Sequence, residues 1–174
     1  PRYRGGPIGV VGNVLNRDFS PEAPNKVWVT DITYIRTYEG WLFLAAVMDL
    51  YSRMIIGWCM EARMTTSLVT NALAMAVERR GRAKGLVHHS DRGSQYASEA
   101  YQRMQAVNGI TGSMSRRGNC YDNAAMESFF HTLKVECVFE QRYESRREAK
   151  ADIFDWIEMF YNRKRRHSYA DGLS

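Results

Sequence analysis

Three β-type runs separated by short turns occupy residues 26–61 and limit the folds open to this chain. The runs read KVWVTDITYI, WLFLAAVMDL and MIIGWCME, and the connections between them are TYEG and YSR. β-Branched and aromatic residues dominate the runs, as is typical of strands. Because such short connections reverse the chain between neighbouring strands, the sequence predicts an antiparallel meander.

Helical and strand-like segments alternate after residue 61. TTSLVTNALAMAVERR is rich in helix formers and ends at Gly81. A short strand, GLVHH, a helix over about 98–108, a strand, ITGSM, and a helix over 123–137 follow. The order predicts an α/β fold with a mixed five-stranded sheet, three antiparallel strands and then parallel strands, flanked by helices.

The last predicted helix opens at Ser145, which stands at capping-box spacing from a glutamate. Four apolar residues predict its buried stripe, namely Ala149, Ile153, Trp156 and Phe160. Four consecutive cations follow in NRKRRH, at what we predict to be the helix end, where they would complement the helix dipole. They are Arg163, Lys164, Arg165 and Arg166.

The domain organisation follows from composition. Residues 1–25 contain all four prolines and predict an extended N-terminal arm, and residues 26–174 predict one core domain with a basic C-terminal helix. The net charge of +5 fits an anionic partner. Cysteines are few and form no CxxC pair, and the longest apolar run is too short to cross a bilayer, so we expect a soluble, cytosolic protein. Because the chain begins at Pro1 rather than methionine, we expect a fragment of a longer protein.

Two aspartates, one within a predicted strand and one at the end of another, are candidates for a functional role. Asp31 interrupts a strand that is apolar on both faces, and a buried carboxylate is unfavourable unless it is paired or binds a metal. A water-facing edge position is the alternative. Asp91 follows GLVHH, at the strand end where ligands of parallel sheets collect, although Ser-Asp-x-Gly is also common in turns.

A third carboxylate, Glu127, lies on the helix over 123–137. An apolar stripe covers one side of that helix, whereas Glu127 and Lys134 share a polar side. A solvated helix surface is the alternative. If this side faces the two aspartates, the three carboxylates form an all-oxygen cluster suited to Mg²⁺ or Mn²⁺. Two such ions would suit in-line phosphoryl transfer.

Two histidines precede Asp91 in the motif HHSD. His88 and His89 would point to opposite faces of a strand, and no third histidine or cysteine stands at zinc spacing. We interpret one as core-facing and the other as a neighbour of the site rather than a ligand. A catalytic triad of Ser90, His89 and Asp91 is excluded, because the side chains of adjacent residues cannot converge in the required relay.

Four motifs resemble those of a known family. WVTDITYI, HSDRGSQY, NCYDNAAMESFFHTLK and FYNRKRRH look like the motif series of bacterial insertion-sequence transposases of the insertion-sequence-three group, which are relatives of retroviral integrases with a ribonuclease-H-like core. Between Asp91 and Glu127 lie 35 residues, as in the DDE motif of that family. The resemblance runs from about Asn16 to the end of the chain.

The resemblance implies a Mg²⁺- or Mn²⁺-dependent transposase core in which Asp31, Asp91 and Glu127 are the catalytic triad and hold two ions. It implies DNA partners, namely transposon ends and target, a homodimer or higher multimer, and a place in the bacterial cytoplasm at the nucleoid. The family's upstream helix-turn-helix is not in this sequence. A nuclease with the same site but no strand transfer, and an inactive DNA-binding or dimerisation module, remain alternatives.

Cationic residues beside these motifs are the candidate DNA contacts. The resemblance implies that Lys134 contacts the DNA end. Arg116 and Arg117 lie in the loop SRRGNCYD. Phosphate binding beside a two-metal site and an ordinary solvated loop explain these two arginines equally well. The cations of NRKRRH would make salt-sensitive, sequence-independent phosphate contacts.

Overall fold

The computed structural model describes residues 20–115 and 123–171, with the side chains of the second range given as far as residue 166. The strands and helices of these ranges follow the predicted order, and π-helical segments continue the third and fourth helices. The strands are β1 Val27–Thr37, β2 Gly40–Asp49, β3 Ile55–Glu61, β4 Val87–Ser90 and β5 Thr111–Met114. The helical elements are α1 Thr66–Arg80, α2 Glu99–Val107, α3 Ala124–Leu133, π1 Lys134–Val138, α4 Arg146–Asp155, π2 Trp156–Tyr161 and α5 Asn162–Asp171.

The strands form one mixed sheet in the order β3-β2-β1-β4-β5, which confirms the predicted architecture. β1 pairs antiparallel with β2 from Trp28 to Thr37, and β2 pairs antiparallel with β3. β4 lies parallel to β1 and to β5. The pairing of β1 with β4 is short, because it involves only residues 27–29 of β1. Beyond Val29, the β4 side of β1 is therefore open to another element.

Helices cover both faces of the sheet, and each face has its own apolar core. On one face α1 and α2 pack through residues such as Trp28, Val47 and Leu73. Helix α1 approaches the sheet closely at Gly57 of β3, where an added Cβ would stand 2.2 Å from the Ala72 carbonyl oxygen. On the other face α3, π1, α4 and π2 bury the second core, which includes Val29, Leu44, Phe129, Ile153 and Trp156.

The two π-helical segments change which residues of the C-terminal helix are buried. Ala149, Ile153 and Trp156 are buried as predicted, but the prediction for Phe160 is wrong, because its side chain is 67 % exposed. Ile157 and Tyr161 are buried instead. A π-helical turn contains one more residue than an α-helical turn, so it shifts the apolar stripe by one position.

The basic segment also differs from its prediction. Residues 163–166 do not stand at a helix end, because helix α5 continues to Asp171. Their four side chains are exposed in the first half of that helix. The helix dipole therefore does not explain them, since its negative end lies further along the chain. Within the described ranges, no helix is long and apolar enough to cross a membrane.

Candidate active site

Asp31 lies in the middle of β1, in the strand at the centre of the sheet. Its side chain is partly buried, and Oδ1 accepts a hydrogen bond from the Ile32 N–H at 2.8 Å. The β1 register pairs Asp31 with Ala46, a residue of the core that α3 and α4 cover. Because β1 is the central strand, the alternative of a position in an edge strand is wrong, although the β4 side of β1 is open beside Asp31.

Asp91 is the first residue after β4, at the carboxyl end of that strand. Its Oδ1 accepts a hydrogen bond from the Gly93 N–H at 2.6 Å, and an added Cβ on Gly93 would stand 2.8 Å from the same oxygen. Glycine thus lets the turn close on the carboxylate. Arg92 fixes the other side of the turn, because its Nε donates to the Ser115 carbonyl at 2.8 Å.

A buried tyrosine ties the turn of Asp91 to the strand of Asp31. The Tyr96 hydroxyl lies 3.2 Å from Thr30 Oγ1. The Thr30 hydroxyl donates to the Ala46 carbonyl at 2.8 Å. Sequence reasoning missed both residues. The aromatic residue that ends HSDRGSQY was the available signal, because a tyrosine so near a strand exit commonly buries its ring and needs a partner for its hydroxyl.

Glu127 stands in the first turn of α3, and its side chain is exposed. The helix begins against the open edge of β1, where Asn123 Nδ2 donates to the Thr30 carbonyl at 3.2 Å. Buried Met126, Phe129 and Phe130 anchor α3 on the core, which turns the side of Glu127 away from it. The helix that carries the third carboxylate therefore begins beside Thr30, the neighbour of Asp31 in β1.

The three carboxylates interact electrostatically. Burial raises the pKa of Asp31 from 3.8 to about 6, the Ile32 N–H opposes this shift, and repulsion from Asp91 and Glu127 adds to it. In the part of the chain that the structure describes, none of the ion pairs includes any of the three. Among the described residues, the negative charge of the cluster is thus not balanced by an ion pair.

The donor set fits a hard divalent cation, because it offers only carboxylate oxygens. The described side chains do not form a closed coordination sphere. Among the described residues, no group of three or more histidine, cysteine, aspartate or glutamate side chains is placed to enclose an ion. Asp91 and Glu127 are within electrostatic reach of Asp31, and side-chain movements would have to bring the three carboxylates together to complete a coordination shell.

The histidines belong to the interior. His88 and His89 are both fully buried, whereas we interpreted only one of them as core-facing. His88 Nε2 is hydrogen-bonded to the Tyr101 hydroxyl, and His89 Nδ1 lies 2.9 Å from Ser113 Oγ. Burial, together with repulsion from His89, lowers the pKa of His88 to about 3. His88 is therefore neutral at physiological pH.

The candidate DNA contacts lie in separate places. Lys134 begins π1, with its Nζ 5.3 Å from the centre of the Tyr34 ring. Arg165 stands over the Tyr161 ring, with Cζ 5.4 Å from its centre. A cavity of about 120 Å³ lies between Arg165 and residues of α3 such as Ser128. Arg116 and Arg117 lie outside the described residues.

The chain matches a known family along most of its length. One sequence profile of the integrase core domain matches residues 21–120, and a second matches residues 127–174. The chain belongs to the integrase core domain family. Asp31 and Asp91 lie in the first matched range of this family, and Glu127 opens the second.

The integrase core domain is shared with insertion-sequence transposases, as the motifs predicted. Transposase InsF for insertion sequence IS3A, from Escherichia coli K12, is 51% identical over 172 residues, which cover 99% of this chain and 60% of that protein. The insertion element IS600 uncharacterized 31 kDa protein, from Shigella sonnei, is 50% identical over 167 residues, which cover 96% of this chain and 61% of that protein. The chain thus spans about three fifths of the length of these curated relatives.

Solved integrase structures share the fold. The simian T-cell lymphotropic virus intasome in complex with PP2A regulatory subunit B56 gamma superposes with a TM-score of 0.61 at 23% identity, over 67% of this chain and 41% of that chain. The HTLV-2 integrase catalytic core domain in complex with magnesium, in its dimeric form, superposes with a TM-score of 0.55 at 19% identity, over 66% and 70%. This likeness confirms a ribonuclease-H-like, integrase-type core.

Proposed function

We propose that this chain is the catalytic core of a DDE transposase that cleaves DNA at a transposon end and joins it to a target. The observation that carries the proposal is the unbalanced group of carboxylates at the edge of β1, where Asp91 and Glu127 both act on Asp31. The kinship with insertion-sequence transposases supports it. We assign residues 26–174 to the catalytic core and residues 1–25 to an N-terminal arm.

Asp31, Asp91 and Glu127 are the proposed triad, and they would hold Mg²⁺ or Mn²⁺, two ions in the complete site. When bound, such ions supply an activated nucleophile and stabilise the leaving oxygen in an in-line displacement. The structure of the HTLV-2 integrase catalytic core domain is described as a complex with magnesium, which supports the choice of metal. β1 holds Asp31 rigidly, whereas Asp91 on a turn and Glu127 on a helix start can adjust around it.

The proposed reaction has two displacement steps. In the first, water attacks a phosphodiester at the transposon end, the P–O3′ bond breaks, and the strand leaves with a free 3′-OH. In the second, this 3′ oxygen attacks a phosphodiester of the target, a new P–O bond forms, and another 3′-OH is released. No covalent bond between protein and DNA is required, since both nucleophiles come from the substrates.

Basic residues would hold the DNA backbone. We propose that Lys134 contacts the DNA end, because π1 continues the helix that carries Glu127. We propose that Arg116 and Arg117, which precede Asn123 by seven and six residues in the sequence, also contact phosphates. The exposed cations at positions 163–166 would bind phosphates further from the carboxylates, with strong salt dependence.

Multimers are also part of the proposal. Retroviral relatives are described as an intasome and as dimeric and trimeric forms of a catalytic core. Joining a transposon to a target requires that two DNA ends be held together, which a homodimer or higher multimer achieves. We propose that such a complex works on bacterial DNA at the nucleoid, in the cytoplasm.

The test is oligonucleotide nicking and strand transfer with Mg²⁺ or Mn²⁺. Glu127→Gln should reduce both reactions to background, whereas Glu140→Gln, which changes an exposed glutamate beyond π1, should retain them. Undiminished activity of Glu127→Gln would refute the triad assignment. Product analysis decides between the alternatives, because joined strands indicate a transposase and nicks alone indicate a nuclease.

A further inference from the structure

Two large aromatic side chains stand exposed together on the β1–β2 hairpin. Tyr34 is 55 % exposed and Trp41 is 48 % exposed. Their rings meet edge to face, with centroids 5.1 Å apart and an interplanar angle of 81°. Aromatic rings of this size are usually buried, so a pair that is held in place and left open to solvent indicates a contact surface.

The strand register explains why this surface is bare. Tyr34 is paired with Phe43, and Arg36 is paired with Trp41, so these residues share one face of the sheet. Helix α1 covers that face where it packs on Ala45 and Val47. The end of the hairpin extends past the helix, and Arg36 is exposed beside the two rings.

A lysine completes the surface. Lys134 Nζ stands 5.3 Å from the centre of the Tyr34 ring, a cation–π distance. Glu39, in the hairpin turn, lies 3.9 Å from Arg146, so its charge is balanced. The aromatic pair therefore carries positive charge on two sides, from Lys134 and Arg36. We call Tyr34, Trp41, Lys134 and Arg36 the aromatic platform.

We propose that the aromatic platform stacks an unpaired base of the DNA strand whose phosphodiester lies at the carboxylates; this inference rests on the proposed function. Tyr34 follows Asp31 by three residues on the same strand, a rise of about 10 Å, so the two side chains point to opposite faces of the sheet. Lys134, on the helix that carries Glu127, nevertheless reaches the Tyr34 ring, so the platform adjoins the carboxylates around the open side of β1. Stacking on a protein ring needs a base with an open face, which a duplex does not offer inside the helix. The two cations would bind the phosphates that flank the base.

A nucleic acid fits this surface better than a second copy of the chain. The chain carries a net charge of +5, so a partner copy would bring further positive charge toward Lys134 and Arg36. The cores of protein interfaces are depleted of charged residues, whereas here the cations flank the rings directly. Charge and ring exposure together favour an anionic partner that has flat faces.

The experiment uses the whole chain in EDTA and a duplex with a three-nucleotide single-stranded extension that contains 2-aminopurine. Binding should quench the 2-aminopurine fluorescence. Tyr34→Leu and Trp41→Leu should abolish the quenching and weaken binding of the extended DNA by roughly tenfold, or about 1.4 kcal/mol, with blunt duplex affinity unchanged. Tyr34→Phe should behave like the wild type, because it retains the ring.

Tyr38→Leu is the matched control, because Tyr38 is a 69 % exposed tyrosine in the turn of the same hairpin and is not assigned to the platform. It should quench and bind like the wild type. Circular dichroism and sedimentation velocity of every variant monitor folding and association, and Tyr34→Gln serves as a second variant if Tyr34→Leu does not fold.

The proposal would be refuted if both leucine variants quenched like the wild type, or if they weakened binding of blunt and extended DNA equally. It would also be refuted if Tyr38→Leu reduced quenching as much as they do. A change in self-association alone would show that the surface is a protein interface. Since EDTA removes the metal, this measurement is independent of catalysis. Absent quenching with intact Mg²⁺-dependent nicking refutes the platform alone. Quenching by a protein that does not nick refutes the proposed function alone.

Discussion

Replacing Asp31 by asparagine is expected to stabilise the metal-free protein while it abolishes activity. The rise of the Asp31 pKa from 3.8 to about 6 means that the charged carboxylate costs the folded state about 3 kcal/mol at neutral pH. Asparagine has nearly the same shape and retains an oxygen to accept the Ile32 N–H. Because the buried amide still loses some hydration, we expect a net gain of about 2 kcal/mol in the free energy of unfolding.

The gain should depend on pH with a definite sign. Since the folded-state pKa of Asp31 lies above its unfolded value, the folded protein binds the proton more tightly between pH 3.8 and about 6. The stability that protonated Asp31 contributes is fully present below pH 3.8 and is lost as the pH rises through 6. The advantage of Asp31→Asn over the wild type should therefore be largest above pH 6 and small near pH 4.

Urea unfolding in EDTA, followed by circular dichroism at several pH values, measures this difference. Asp155→Asn is the control, because it removes an exposed carboxylate from α4 and should change stability by less than about 0.5 kcal/mol. Added Mg²⁺ at ten times its dissociation constant should stabilise the wild type by about 1.4 kcal/mol and leave Asp31→Asn unchanged. An asparagine variant that is no more stable than the wild type at pH 8 would refute the electrostatic reasoning.

Three further predictions concern the surrounding structure. Tyr96→Phe removes the hydroxyl that faces Thr30, and urea unfolding should show a loss of about 1 kcal/mol. Between pH 7 and pH 5 the wild type should lose about 2 kcal/mol relative to His88→Gln in the same assay, because the lowered pKa of His88 keeps it neutral in the folded state while it is protonated when unfolded. Thermal unfolding should show that Ile157→Ala costs about 3 kcal/mol and Phe160→Ala less than about 0.5 kcal/mol, whereas the reverse order would place Phe160 in the core.

Local patterns were sufficient to predict the sheet, the end of α1 and the start of α2. Alternating β-branched and aromatic residues with short turns predicted β1 to β3, and the position of Asp31 at the centre of the sheet followed from the apolar residues on both of its sides. Gly81 and Ser98 mark helix ends because the first adopts a positive φ of 72° and the second accepts a backbone N–H from Tyr101. These features depend only on residues that are close in sequence.

Features that depend on distant contacts were missed. The position of α3 beside β1 rests on the bond from Asn123 to Thr30, which are 93 residues apart. The exposure of Phe160 follows from a π-helical turn, which packing against the core selects and helix propensity does not encode. For the same reason the hydrogen bond between the hydroxyls of Tyr96 and Thr30 was not predicted, since neither motif specifies that its hydroxyl will lie beside the hydroxyl of the other motif.

Segment π2 also determines the direction in which the basic helix points. One residue more or fewer in a helix rotates everything beyond it by about 100° and moves it by about 1.5 Å along the axis. Inserting a single uncharged residue between π2 and Arg163 would therefore rotate the side chains of residues 163–166 to a different direction, while the sheet, the carboxylates and every charge stayed the same. One inserted residue is thus enough to redirect the four cations, and with them the proposed phosphate contacts, without any change in the chemistry of the chain.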